Sequence, residues 1–171
     1  MTRFLFIMTL FILFIIEGTV VQVFAPDRWG LSIVMVPRFI VVILIISSLF
    51  LGRFQGLVLG FIFGLMYDVV YGNILGVYAF SMAFIGYFSG VTFRIFQHNI
   101  FLILTTVIVA LFVHELIVYG ILTLVNFVVM DFELFLMEKL IPTLVLNVIF
   151  ALLVSFPLRT ILVQMREEEE K

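Results

Sequence analysis

Glu17, Arg38, Asp68, His114, Glu115 and Asn147 stand in stretches of sequence that are otherwise strongly apolar. In a bilayer core, a charged side chain costs about 2.5–3.5 kcal/mol on insertion scales, so such groups face protein and take partners. Carboxylates, a guanidinium, an imidazole and an amide are the types that form buried ion pairs, relay protons or hold a polar ligand. Arginine suits the role of shared cation, because its planar fork bonds two carboxylates at once and keeps its proton. The expected arrangement is Arg38 paired with Glu17, Asp68 or both. That leaves Glu115 without an obvious cation, either protonated or meeting a partner protein. An ion pair that only fixes helix register is sufficient reason for these residues to be present.

Other constellations are weaker. His114 and Glu115 are adjacent, so on a helix they point about 100° apart. No second residue stands at ligand spacing from His114, so it reads as a packing histidine and no metal is expected. Gly86-Tyr-Phe-Ser89-Gly90 sets a serine among glycines, with His114 on the following helix. A small residue easing helix packing explains Ser89 more simply than a nucleophile does. G-x-S-x-G, H-E-x-x-H and G-x-x-x-x-G-K-[ST] are all missing, and so is cysteine. No enzymatic activity and no cofactor is expected.

The element that must position Asp68 is marked by glycine. Gly52, Gly56, Gly60 and Gly64 recur every fourth residue; Asp68 takes the next place, and Gly72 and Gly76 continue the series. Each four-residue step advances about 40° around a helix. The glycines thus form a slowly winding groove that lets another helix backbone come close. Gly86 and Gly90 repeat the spacing further on. The expected occupant of the groove is a helix of the same chain or of a partner.

Composition places all of this in a membrane. Of 171 residues, 65% are hydrophobic and 12% charged, with a mean hydropathy of +1.37; soluble domains carry roughly 25% charged residues. A net charge of -2 argues against nucleic acid as a partner. The chain reads as one all-α membrane domain over 1–171, a bundle of six spans at about 4–22, 33–51, 54–71, 74–93, 100–124 and 141–158. Val23-Phe-Ala25 resembles a signal cleavage site, but Glu17 and Pro26 favour a retained first span. Pro37 is expected within the first turns of the second span. Residues 131–139 mix charges with Phe and Met and suit an interfacial helix. Residues 160–171, ending in a run of glutamates, suit a solvated cytoplasmic tail.

Orientation follows from the basic residues. With the N-terminus inside, Arg3, Arg53, Arg94, Arg159, Arg166 and Lys171 fall on the inner side, and Arg28, Arg38 and Lys139 on the outer. Both termini are therefore expected in the cytoplasm. Glu17, Arg38 and Asp68 then each lie roughly 6–8 Å from the outer ends of their helices, Asn147 about 9 Å and Glu115 about 13 Å. These five residues form an expected polar layer in the outer half of the bundle.

Several stretches resemble one family. Gly60-Phe-Ile-Phe-Gly64-Leu-Met-Tyr-Asp68, then Gly72 and Leu75-Gly76-Val-Tyr-Ala79, are similar to the signature of the rod-shape-determining MreD proteins. So are Val36-Pro37-Arg38-Phe39 and Pro142-Thr-Leu-Val-Leu-Asn147, in the form found in Gram-positive, Bacillus-like bacteria. The resemblance implies a non-enzymatic scaffold of the cell-elongation machinery in the plasma membrane. It implies an MreC-like bitopic partner, alongside MreB, RodA and a class B penicillin-binding protein that serve peptidoglycan synthesis. It also implies a bundle similar to the S component of energy-coupling-factor transporters, with Arg38, Asp68 and Asn147 as structural or partner-facing residues. A vitamin-binding S-component-like subunit is the alternative. Membrane lipid is a further expected partner.

Overall fold

The structure is a computed structural model that describes residues 2–24, 33–91 and 100–169. Within them the chain is a membrane bundle of six main helices, without strands. The helices are α1 (Thr2–Phe24), α2 (Phe39–Leu51), α3 (Arg53–Val70), α4 (Val77–Val91), α5 (Ile100–Leu124) and α6 (Ile141–Glu169). Arg53–Val70, Ile100–Leu124 and Phe132–Glu168 are long and apolar enough to cross a bilayer; Phe4–Thr19, Phe39–Leu51 and Val77–Val91 are shorter apolar stretches. The turn around Trp29 and the loop 94–99 lie outside the described residues.

α2 is the axis of the bundle and packs against every other main helix. Its sequence, Phe-Ile-Val-Val-Ile-Leu-Ile-Ile-Ser-Ser-Leu-Phe-Leu, has no polar face, which suits a helix covered on all sides. Every residue from Ile40 to Phe50 is buried. At 1.5 Å per residue α2 reaches only about 20 Å, short of a hydrocarbon core of about 30 Å. The chain makes up part of the depth in extended form, over 33–38.

That extended segment differs from the second span expected to start near residue 33. Pro37 is the cause, because it disfavours helical backbone at Val36. Non-helical backbone at membrane depth survives only where protein satisfies it. Here the Val34 N–H donates to the Glu138 carbonyl (2.7 Å) and the Val36 N–H to Thr143 Oγ1 (3.1 Å). Asn147 Nδ2 donates to the Val36 carbonyl (3.0 Å), and Asn147 Oδ1 accepts the Arg38 N–H (2.7 Å).

α3 and α4 form the most extensive contact in the bundle, and glycine is the reason. A methyl at Gly60 would stand 2.7 Å from the Met82 carbonyl carbon, and one at Gly64 2.6 Å from Ala79 Cα. Gly56 and Gly86 face each other backbone to backbone, and Gly90 abuts Gly52 and Arg53. The occupant of the groove is therefore α4 of the same chain. Gly52 and Gly76 serve turns instead: they hold φ of 94° and 100°, the left-handed region that glycine enters at no steric cost, and an added Cβ on either would meet open space. Gly72 packs on the backbone of Asp68.

The chain's last third differs from expectation in two ways. Residues expected as a separate interfacial helix over 131–139 run directly into α6. A single turn, Phe132–Leu134, leads to a π-helical stretch, Phe135–Leu140, whose Phe135 and Leu140 are buried. The tail expected from residue 160 is helical through Glu169, and Leu158, Leu162 and Met165 are buried in the core. Pro157 sits inside α6 without ending it.

Candidate functional site

Asp68 ends the glycine series on α3 at the level where α4 begins. The first amide groups of a helix have no partner within it. Asp68 Oδ2 accepts from the N–H of Gly76 and of Ala79, and Oδ1 from that of Tyr78, each at 2.9 Å. A carboxylate here meets three donors and the positive end of the helix dipole together. Its role is to hold the start of α4 against α3, and the turn 71–76 brings the two together.

Glu17 on α1 does the same for α2. Its Oε2 accepts the Ile40 N–H at 3.0 Å, and its Oε1 accepts the hydroxyl of Tyr67, the neighbour of Asp68 on α3. Phe14, one turn earlier on α1, packs edge-on against the Tyr67 ring. Gly18 lies so close to Tyr71 that a side chain there would overlap the phenol. Glu17 thereby ties α1 to both α2 and α3.

Arg38 does not pair with Glu17 or Asp68. Its Nε donates to Glu115 Oε1 at 2.7 Å, and this is a buried ion pair between the start of α2 and the middle of α5. Its Nη2 donates to the Tyr78 hydroxyl (3.3 Å), with the guanidinium 5.0 Å from that ring's centroid. Glu115 so has the cation that sequence alone did not assign to it. Lys139, from the π-helical stretch, lies 4.0 Å from the other oxygen, Oε2. Breaking a buried pair of this kind by removing one member costs about 3–5 kcal/mol.

The separate contacts join into one network. Asn147 on α6 holds the Arg38 backbone, Arg38 holds Glu115 and Tyr78, Tyr78 gives its N–H to Asp68, and Tyr67 links α3 to Glu17. Glu17, Arg38, Asp68, Glu115 and Asn147 are all buried, and together they tie all six helices. Tyr67, Tyr78, Thr143 and Lys139 complete the network and were not singled out from sequence. The signal for the tyrosines was a phenol beside, or ten residues after, a membrane carboxylate, since a buried tyrosine hydroxyl seeks a partner.

His114 is enclosed against the Tyr78 ring at 6.2 Å, with no hydrogen-bond partner for either nitrogen among the described residues. Ser89 is eleven residues beyond Tyr78 on α4, about 16 Å along the axis, so His114 cannot serve it as a base. No three His, Cys, Asp or Glu residues cluster as a metal site among the described residues. Beside the network lies a pocket of about 210 Å³, lined by Glu17, Arg38, Tyr67, Tyr71, Tyr78 and Lys139 among others.

Comparison with known proteins agrees over nearly the whole chain. A family profile described as rod shape-determining protein MreD matches residues 2–165. The rod shape-determining protein MreD of Bacillus subtilis (strain 168) is 31% identical over 135 residues, covering 79% of this chain and 78% of its own length. No solved structure matches the chain.

Proposed function

The chain belongs to the MreD family of rod shape-determining proteins, a multi-pass membrane protein of cell-shape determination, and from that premise we propose a non-enzymatic scaffold. In this reading it binds the transmembrane helix and juxtamembrane part of an MreC-like bitopic protein and passes that state to the peptidoglycan-synthesising enzymes of elongation. MreB, RodA and a class B penicillin-binding protein complete the assembly, and both termini face the cytoplasm.

The observation that carries this reading is how the bundle uses its polar groups. Each buried carboxylate is bonded within the chain: Glu17 to Ile40 and Tyr67, Asp68 to three amides, Glu115 to Arg38. Such a network holds a shape, with its carboxylates engaged by backbone amides, Tyr67 and Arg38 among the described residues. The alternative, a vitamin carrier, asks for a pocket of about 300–1,000 Å³ with convergent polar groups; the pocket that holds the polar groups is about 210 Å³, and the cavity of about 440 Å³ between α4 and α5 is lined almost wholly by apolar side chains. With the glycine groove filled by α4, a partner helix docks on the outer, lipid-facing surface.

Photocrosslinkers at exposed Phe11, Phe61, Phe80, Val109 and Ile149, on five different helices, test this in cells. The expected result is one or two positions that capture an MreC-like protein, with loss of rod shape when those positions carry Trp. Normal shape with no envelope-protein adduct from any of the five would refute the scaffold reading.

A further inference from the structure

We propose that the polar pocket is a binding site for a phosphate group, carried by a membrane lipid headgroup. The argument starts from Arg38. The residue is 4% exposed, and two of its three guanidinium nitrogens are taken, Nε by Glu115 and Nη2 by Tyr78. Nη1 has no acceptor among the described residues and is not one of the enclosed polar atoms. Its two N–H donors have no acceptor among the described residues, and Arg38 is one of the residues that line the pocket.

Lys139 lines the same pocket and is held loosely. Its side chain is 26% exposed, and its ammonium is at 4.0 Å from Glu115 Oε2, which has no hydrogen bond of its own. It stands on a π-helical stretch, a rare conformation that recurs at functional sites. Tyr71 adds a hydroxyl whose present contact, to the Phe14 carbonyl, is long at 3.4 Å. Glu17, the acidic side chain in the lining, already has both oxygens engaged.

The pocket thus offers an arginine edge, an ammonium and a phenol, which is more donors than a two-oxygen carboxylate fills. A phosphate presents more oxygens, and arginine meets it with parallel bonds. Place decides the source. Arg38 directly precedes α2, Tyr71 directly follows α3, Tyr78 is second in α4, and Lys139 comes just before α6. The pocket therefore lies toward one end of the bundle, beside the starts of α2 and α4 and the end of α3, and a headgroup enters it from that end while its acyl chains stay in the hydrocarbon. The volume admits a headgroup phosphate and not a whole lipid, so the acyl chains stay outside.

The full-length protein in an uncharged detergent is titrated with dihexanoyl-phosphatidylglycerol, with dihexanoylglycerol and with inorganic phosphate, and bound mass is read by native mass spectrometry. The expected result is one phosphatidylglycerol per chain, bound at least tenfold more tightly than dihexanoylglycerol. Lys139→Met weakens it about tenfold, and Lys139→Arg restores it. Thermal unfolding checks that each variant is folded, and Tyr71→Phe serves as a second variant, with a loss of about threefold. Inorganic phosphate binding as tightly as the lipid would support the phosphate site and assign it to the free ion. Equal binding of the two glycerol compounds, or unchanged affinity in folded Lys139→Met, would overturn the proposal. So would a photocrosslinker in place of Lys139 that captures a partner polypeptide and no lipid.

Discussion

Gly60→Ala is the sharpest test of how the bundle is held together. In a helix interior, glycine to alanine normally gains about 1 kcal/mol. Gly60 should reverse that sign. The new methyl would stand 2.7 Å from the Met82 carbonyl carbon, about 0.7 Å inside the 3.4 Å at which contact becomes ordinary. The obstacle is backbone, so no rotamer change relieves it and α4 must move away from α3. A gap of 0.5–1 Å forfeits a quarter to a half of each dispersion contact along the seam. Overpacking of this kind costs about 1–3 kcal/mol. In lipid, packing itself drives helix association, so that loss has no hydrophobic term to offset it. The expected net effect is destabilisation by about 1–2 kcal/mol, read as a lower midpoint in SDS-driven unfolding of the purified protein. Gly120, in α5 with open space around it, is the control. Gly120→Ala should be neutral or stabilise by up to about 1 kcal/mol. If Gly60→Ala unfolds no earlier than Gly120→Ala, the close α3–α4 seam is wrong.

Three further outcomes are expected. Asp68→Ala strips three amides of their acceptor and should cost about 3 kcal/mol, with Asp68→Asn nearer 1–2 kcal/mol; hydrogen exchange at Gly76, Tyr78 and Ala79 should accelerate in both. Arg38→Met and Glu115→Leu should each cost about 3–5 kcal/mol, while the double variant costs less than either single one, because no charge is then left buried alone. Additive losses in SDS unfolding would mean the pair is not the unit drawn above. Ending the chain before Leu162 should destabilise by about 2 kcal/mol or more, since Leu162 and Met165 fill the core, whereas ending it after Arg166 should change stability by less than about 0.5 kcal/mol.

The residue count along each expected span concerns depth alone, and direction around a helix is not contained in it. Counting residues from each helix end puts Glu17, Arg38, Asp68 and Asn147 at comparable depth, and this needs only the rise per residue. Which carboxylate faces Arg38 depends on how α5 is rotated and on how close it comes to α2. Glu115, the deepest on the count, turned out to be the partner. Asp68 was drawn toward helix amides instead because the turn 71–76 folds α4 back onto it. The glycine spacing marked a close seam, but Gly52 and Gly76 fall in register with it by number while serving as turn residues with positive φ. Pro37 suits a helix start by its type, whereas its effect on Val36 delays the helix to Phe39. The π-helical stretch that brings Lys139 near Glu115 has no sequence periodicity of its own, so its role surfaces only in three dimensions.

The extended segment before α2 also carries a timing constraint. Its partners arrive late: the Arg38 N–H and Asn147 are 109 positions apart, and the Val36 N–H and Thr143 are 107 apart. At about 5–20 residues per second, a ribosome needs roughly 5–20 s to make the intervening chain. For that interval the central helix is synthesised while the amides and carbonyls that precede it lack their final acceptors and donors. The bundle cannot close from its first helices outward. Its last helix is the keystone, since without it the amides and carbonyls of the segment before α2 lack the partners that Thr143 and Asn147 supply.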